Sequence, residues 1–493
     1  MGFLFERIAH VFGFGFEYQT SPPFAVQKDR GAHQEILMKK FITTIQNIWK
    51  IKELRERIAW TVGMLFIFRI GSFIVLPGVE PAALDKAGQA SAANDLLGLI
   101  NTFTGGAFQN ASIMALGIMP YITASIIVQL LGFAMPYFQR LQQKEGESGR
   151  KKLNQITRLL TVAITLVQGG GYLTYINSIP GAIDPSMPKS IFWLSSTIIL
   201  SAGTVFAMWL GEKITDKGLG NGASLLIMIG IISRLPAAFA SEIAIQINTG
   251  GLFMLILEFA LLFVIIMATV LIIQGVRRVP IQFAKHMVQR GSSVMPAAGV
   301  RDYIPIKVNA AGVMPIIFAQ ALMFVPATVA QFAGGGANSA PTGFMRQLID
   351  PYSLFSEMFV FLLVVGFTYV YTALLVNPTQ YAEYLKRQNA FIPGIKPGKP
   401  TADFIDAVTT RITLPGSIFL GIIAILPGLA RAFGVNPAFA AFFGGTSLLI
   451  GVAVILDTLQ QVESHLLMRR YDGLVKSGRL QGRSKLQSIG SNM

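Results

Sequence analysis

The 493-residue sequence contains no cysteine and only four histidines. The first absence removes disulfide frameworks, thiolate metal sites and cysteine nucleophiles together. The second leaves few imidazoles, and His10, His33, His286 and His465 all fall outside the long apolar stretches. A zinc site or a Ser–His hydrolase inside a membrane therefore has no ligand or base to use. Charge is also scarce: Asp, Glu, Lys and Arg make up 13% of the chain, against 52% for AVILMFWYC residues. A soluble domain carries about 25% charged residues to cover its surface, so a water-soluble enzyme of this size is disfavoured. The apolar content argues against disorder, and the 49 glycines show no three-residue period of the collagen kind. A phosphate cradle is missing too. EGESGRKK over 145–152 lacks the G-x-x-x-x-G-K-[ST] spacing, and GLGNG over 218–222 reads as a turn. Energy for any work has to come from another molecule.

What the chain has in quantity is long apolar runs. A bilayer core ~30 Å thick needs ~20 apolar residues per helical span. Ten stretches qualify, at about 58–76, 111–135, 159–177, 191–210, 221–240, 252–273, 310–333, 358–376, 412–430 and 437–457. Positive charge is sorted between them. Of the 40 Lys and Arg, 34 precede the first span, lie in 140–158, 213–217, 277–307 and 386–411, or follow residue 468. The alternate loops hold one apiece, at Lys86, Lys189, Arg234, Arg346 and Arg431, and Arg69 lies within span one. By the positive-inside rule both termini are cytoplasmic, and the formal charge of +15 is mostly topological. No basic n-region with an unbroken apolar core opens the chain. MKKFITTIQNIWKIKELRERI, from Met38, reads as a natural amphipathic start, which makes 1–37 an upstream extension; a surface-lying helix is the other reading.

Arg69, Glu258 and Arg234 are the ionisable groups nearest the apolar runs, and snorkelling from span ends accounts for them. In span two, Ile118, Ile122, Ser125 and Gln129 share one helical face. Such a face most simply suits contact with lipid, and it also suits a water-filled funnel ending in a hydrophobic constriction. NDLLGLINTFTGGAFQN (94–110) is too short and polar to span. It reads as a re-entrant segment ended by Gly105–Gly106, or as a helix on the outer surface. The basic loops 275–309 and 377–411 exceed the ~12–15 residues at which structureless loops become uncommon. Each is expected to project as a hairpin and to dock a soluble partner.

Six stretches resemble one family. LGIMPYITASIIVQLL (116–131), EGESGRKKLNQITR (145–158), MWLGEKITDKGLGNGAS (208–224), PIKVNAAGVMPIIFA (305–319), NAFIPGIKPGKPTADFI (389–405) and FFGGTSLLI (442–450) are similar to signature stretches of the SecY family, channel subunits of the bacterial protein translocon. The resemblance is collinear from about residue 38 to the tail. It implies an all-α integral membrane protein of the bacterial inner membrane, with ten transmembrane helices in two pseudo-symmetric five-helix halves around a central hourglass pore. The halves are 38–240, with spans one to five, and 241–460, with spans six to ten; 461–493 is a cytoplasmic tail.

Carried over position by position, the resemblance places a pore ring on Ile118, Ile122, Ile227, Ile317 and Ile450, with Ala223 where some relatives have another isoleucine. It makes 94–110 a plug, with Leu96, Leu97, Leu99, Ile100, Phe103, Gly105 and Gly106 as its characteristic residues. It puts a lateral gate at Thr123, Ile126, Gln129 and Asn309, with a Thr123–Asn309 hydrogen bond worth about 1 kcal/mol net. Docking of a SecA ATPase or a ribosome falls on Arg277, Arg278, Lys285, Arg290, Lys386, Arg387, Lys396 and Lys399. Lys396 departs from the usual arginine, keeping the charge and losing the bidentate fork. The loop GGGANSAPTG (334–343) is unlike the relatives and reads as an insertion. Implied partners are SecE-like and SecG-like small membrane subunits, signal peptides, nascent chains and the lipid bilayer; no cofactor is implied. A secondary transporter with inverted repeats is the competing class. The lack of mid-membrane charge argues against its ion coupling.

Overall fold

A chain crossing hydrocarbon must satisfy every backbone N–H and C=O within itself, and an α-helix does so inside one segment. The computed structural model follows that rule. It describes residues 51–80, 83–84, 101, 104–143, 146–249, 251–283, 287–290, 293–296, 301–319, 322–323 and 353–476. The chain divides into two units, 1–55 and 56–493, and apart from the start of α1 the description concerns the second. Helices α1 (Lys52–Gly71), α2 (Met119–Ala134), α3 (Pro136–Gln143), α4 (Gly146–Ser178), α5 (Lys189–Lys217), α6 (Gly222–Thr249) and α7 (Leu252–Gln274) come first. Strands β1 (Val276–Phe283), β2 (Met287–Arg290), β3 (Ser293–Pro296) and β4 (Arg301–Lys307) follow. Then come α8 (Leu354–Leu375), α9 (Pro378–Arg387), β5 (Ala390–Phe391), α10 (Lys399–Ala432), α11 (Pro437–Ala440) and α12 (Gly445–Lys476).

Seven helices among the described residues, α4–α8, α10 and α12, are long and apolar enough to cross a membrane. Two more, α1 and the shorter α2, fall on the first two expected spans. Span seven is helical over 314–319, and most of its remainder lies outside the described residues, so the pattern is consistent with ten. Span two starts later than its hydropathy implies. Residues 104–118 are turns with one bridging residue, and α2 begins only at Met119. Ala111 and Gly117 adopt φ of 44° and 53°, which a helix does not allow, and Pro120 in the first turn is preset for a helix start. At 1.5 Å per residue the 16 residues of α2 reach about 24 Å, short of a bilayer core. The turns make up the difference.

Polar residues inside the bundle turn to their own helices. Thr157, Thr161 and Thr165 of α4 donate to the carbonyls four residues back at 2.9, 2.7 and 2.7 Å. Thr409 and Thr413 of α10 do the same at 2.8 and 2.9 Å. Such bonds let a hydroxyl be buried at little cost. Phe253, Leu257, Leu362 and Leu159 are exposed on the outer faces of spans, where lipid replaces water. Backbone contacts are tightest at glycines: a Cβ on Gly203 would run into the Ile113 carbonyl, and one on Gly222 into that of Gly211.

The first basic loop is a hairpin as expected, with β1 and β4 antiparallel from Val276↔Lys307 to Gln282↔Arg301. The second is not. Residues 377–411 form a short helix, α9, then β5 and the first turns of α10, because proline and glycine at 393–400 interrupt any second strand. β5 pairs with β1 at Gln282↔Phe391, so both loops join one sheet ordered β4-β1-β5. Val279, Ile281, Ile306, Leu385, Ala390, Ile392 and Ile405 form its own apolar core.

Candidate functional site

Isoleucine at the start of a helix recurs through the bundle. Ile118 caps α2 and Ile122 lies in its first turn; Ile227 and Ile450 are each the sixth residue of α6 and α12; Ile317 is the fourth residue of the 314–319 helix. Three of them stand five residues after a glycine of positive φ: Ile122 after Gly117, Ile317 after Gly312 and Ile450 after Gly445. The chain enters each helix through a left-handed glycine, and the helix then presents an isoleucine inward. Ile118, Ile122, Ile227 and Ile450 are buried in one apolar cluster, and Ile317 and Ala223 pack against it. GIMP at 117–120 and GVMP at 312–315 therefore start two helices in the same way. That internal repeat is a readable sequence signal that span-by-span hydropathy passes over.

The gate residues are placed differently from expectation. Ile126 is buried in the same cluster, and Gln129 donates to the Ser125 hydroxyl at 3.2 Å on the polar end of α2. The Thr123–Asn309 hydrogen bond is not formed. Thr123 donates instead to the Met119 carbonyl at 3.1 Å, and the buried Asn309 Oδ1 has no partner among the described residues. A threonine in a helix has an acceptor four residues back wherever it faces, and that local bond wins over one across the seam. Thr123→Val is accordingly expected to leave gating nearly unchanged. Asn309→Leu, by removing an unsatisfied buried acceptor worth about 1–3 kcal/mol, is expected to tighten the seam and slow translocation by roughly tenfold or more, read from transport rates in proteoliposomes.

Of the plug residues, Leu96, Leu97, Leu99, Ile100 and Phe103 lie outside the described residues. Gly105 and Gly106 are described, at φ of 64° and 94°. A Cβ on Gly105 would sit 2.7 Å from the Gly230 Cα of α6, so no other residue fits. Gly106 N–H donates to the Asn101 carbonyl at 3.0 Å, and Tyr172 of α4 donates to the Phe108 carbonyl at 2.7 Å. The three ionisable groups expected to snorkel, Arg69, Arg234 and Glu258, do not. Arg69 Nη1 donates to the Gly105 carbonyl at 2.6 Å, and Arg234 Nη2 to Gln109 Oε1 at 3.1 Å. Glu258 is buried, taking a hydrogen bond from Gln246 Nε2 at 3.2 Å, which also donates to Glu242 at 2.9 Å. These partners lie far off in sequence or across a helix turn, where a reading of single spans finds no trace of them.

Two polar ties join α6 to the last span and the turn before it. Gly220 N–H, just before α6, donates to Gln461 Oε1 of α12 at 2.7 Å. Towards the other end, Asn436 N–H donates to Glu242 Oε2 at 3.1 Å. Phe239 stacks on Phe259 at 5.3 Å, and Phe439 meets both and Phe443 edge-on at 5.0–5.8 Å.

The basic loops converge on the three-stranded sheet. Arg277 and Arg278 are exposed on β1, with the Arg278 guanidinium 4.8 Å from the Tyr303 ring centroid on β4. Lys386 and Arg387 end α9, Arg387 pairing with Glu383 at 3.7 Å. Lys396 and Lys399 are exposed, and the Lys396 carbonyl takes a 2.9 Å bond from the Thr401 hydroxyl. Lys285 lies outside the described residues; Arg290 ends β2, and its side chain is likewise outside them.

Known proteins share this fold. A SecY family model matches residues 112–459. The protein translocase subunit SecY of Chlamydia muridarum is 39% identical over 468 residues, covering 90% of this chain and all of that one. The fold is similar to a solved protein-conducting channel, with a TM-score of 0.58 at 17% identity over 85% of this chain and 96% of the other. It is also similar to Sec61 in a canine ribosome–channel complex, with a TM-score of 0.57 at 16% identity and the same coverage. On the family match and the near full-length relative, the chain belongs to the SecY family of protein translocase subunits.

Proposed function

We infer that this chain is the central subunit of a protein-conducting channel, passing unfolded secretory polypeptides across the membrane and releasing apolar segments sideways into lipid. One observation carries the reading: isoleucines from four separate helix starts meet in one apolar cluster. Branched side chains without hydrogen-bonding atoms part around a passing chain, close behind it and hold no water between transits. The family is one of channel subunits and not of enzymes, so a partner drives transport.

The five isoleucines form the pore ring, and residues 94–110 form the plug against it. The seam between α2 and the 314–319 helix is the lateral gate, where a signal peptide shifts the closed–open equilibrium by binding the open form better. The halves 38–240 and 241–460 hinge at the loop between spans five and six, which joins α6 to α7. The basic ends of the spans and both termini face the cytoplasm of a bacterium, as the distribution of Lys and Arg supports. The β4-β1-β5 sheet with α9 receives the ribosome or a SecA motor, and SecE-like and SecG-like subunits complete the assembly.

Proteoliposomes holding the purified complex test the reading. Translocation of a precursor is expected only with motor or ribosome added, and small membrane subunits are expected to co-purify. Uptake of a small solute by this chain alone would instead favour a secondary transporter.

A further inference from the structure

Two arginines inside the bundle have no role in the ring, the gate or the docking sheet. Arg69 ends α1 and Arg234 lies in α6, and both reach the same turn, 104–110. Among the described residues neither forms an ion pair with a carboxylate, and both guanidiniums reach the one short turn. Each is held by its own acceptor on that turn: the Gly105 carbonyl for Arg69 and Gln109 Oε1 for Arg234. Bonds from a charged donor are about twice as strong as neutral ones. Gln109 is in turn locked to Asn101, whose Nδ2 donates to Gln109 Oε1 at 2.8 Å and whose Oδ1 accepts from Gln109 N–H at 3.1 Å. The turn is thus a closed loop with an arginine at each shoulder. Its glycines are fitted to that grip, since a Cβ on Gly105 would stand 2.9 Å from Arg69 Nη1, and one on Gly106 2.8 Å from Arg234 Nη2.

We propose that Arg69 and Arg234 are the positioning residues of the plug: from α1 and α6 they clasp its C-terminal anchor, the 104–110 turn, and so set how often the resting channel opens. The proposal rests on the reading of 94–110 as plug. When the plug leaves, the turn withdraws its acceptors from two like charges at once, and water entering the mouth replaces them. The clasp therefore biases the channel closed and lets go in one step. Tyr172, which holds Phe108 from α4 with a neutral bond, is a tether and not part of the clasp.

The test uses the full complex, and the absence of native cysteine gives a clean background. Cysteine pairs join Leu97 or Ile100 to Ile122, and disulfide yield is read at rest together with ion conductance in planar bilayers. Arg69→Ala with Arg234→Ala is expected to lower the yield about three- to tenfold and raise conductance by a similar factor. The same pair should admit precursors with defective signal peptides. Arg69→Lys and Arg234→Gln, which keep a donor, are expected to restore much of the yield, and Tyr172→Phe to leave it unchanged. These milder variants also decide the matter if the double alanine variant does not assemble. A disulfide that forms equally well in all variants overturns the clasp and leaves the plug reading standing. No disulfide at either position with both arginines intact overturns the plug reading, and the clasp with it.

Discussion

Replacing Ile122 and Ile450 with glycine is expected to raise the resting ion conductance of the purified complex in planar bilayers by roughly tenfold or more. A tenfold change corresponds to about 1.4 kcal/mol of barrier. The constriction blocks ions because an apolar neck narrower than a hydrated ion stays dry. Two missing branched side chains on separate helix starts widen it enough to wet. Ile122 is 7% and Ile450 1% exposed, so each truncation also removes buried apolar surface, at about 2–5 kcal/mol for an Ile→Ala change alone. Loss of stability and loss of the seal must therefore be separated. Ile265 of α7 provides the control: it is buried in the same cluster but is not a ring position. Ile265→Gly is expected to cost similar stability, read as thermal unfolding of the complex, without raising conductance. Equal leaks at ring and control positions would mean that the cluster is ordinary packing.

Reversing Arg277 and Arg278 to glutamate is expected to weaken binding of ribosomes or motor by about a hundredfold or more, with ring conductance unchanged. Like charges brought face to face at an interface cost several kcal/mol, well above the 2.7 kcal/mol that a hundredfold represents. The two arginines stand on a strand paired along its length, and Tyr303 holds the Arg278 guanidinium in place, so little ordering is lost on binding. Wild-type affinity should fall steeply as salt is raised, because the Debye length at 0.15 M is only about 8 Å. Lys386→Glu with Arg387→Glu is expected to do less, since the wild-type Arg387 already spends part of its charge on Glu383. Ile281→Asp should be as damaging as the double reversal by another route. It opens the small core that holds both loops on one sheet. Retained binding in the Arg277/Arg278 variant would move the docking surface elsewhere.

How far the sequence carried these assignments depends on the range of the interaction. Spans were legible because hydrocarbon imposes apolarity over about twenty residues at a time, and that signal is local. The start of span two was not, because ASIMALGI is as apolar as a helix while Ala111 and Gly117 hold it in turns. Hydropathy reports burial and says nothing of φ. The sheet that unites the basic loops depends on β5, two residues long and paired to a strand over a hundred positions earlier. No periodicity can be read from two residues. Arg69 and Arg234 looked like span-end charges because their acceptors lie 36 and 125 residues away. At the gate, resemblance supplied a bond across the seam, and the helix offered Thr123 a nearer acceptor.

The most direct measurement places a photoreactive side chain at each ring position in turn, Ile118, Ile122, Ile227, Ile317 and Ile450, and stalls a precursor midway through the complex. The stalled polypeptide is expected to crosslink at all five, and not at Phe253 or Leu362, which face outward. Crosslinks at the outward positions with none at the ring would contradict a pore through this cluster.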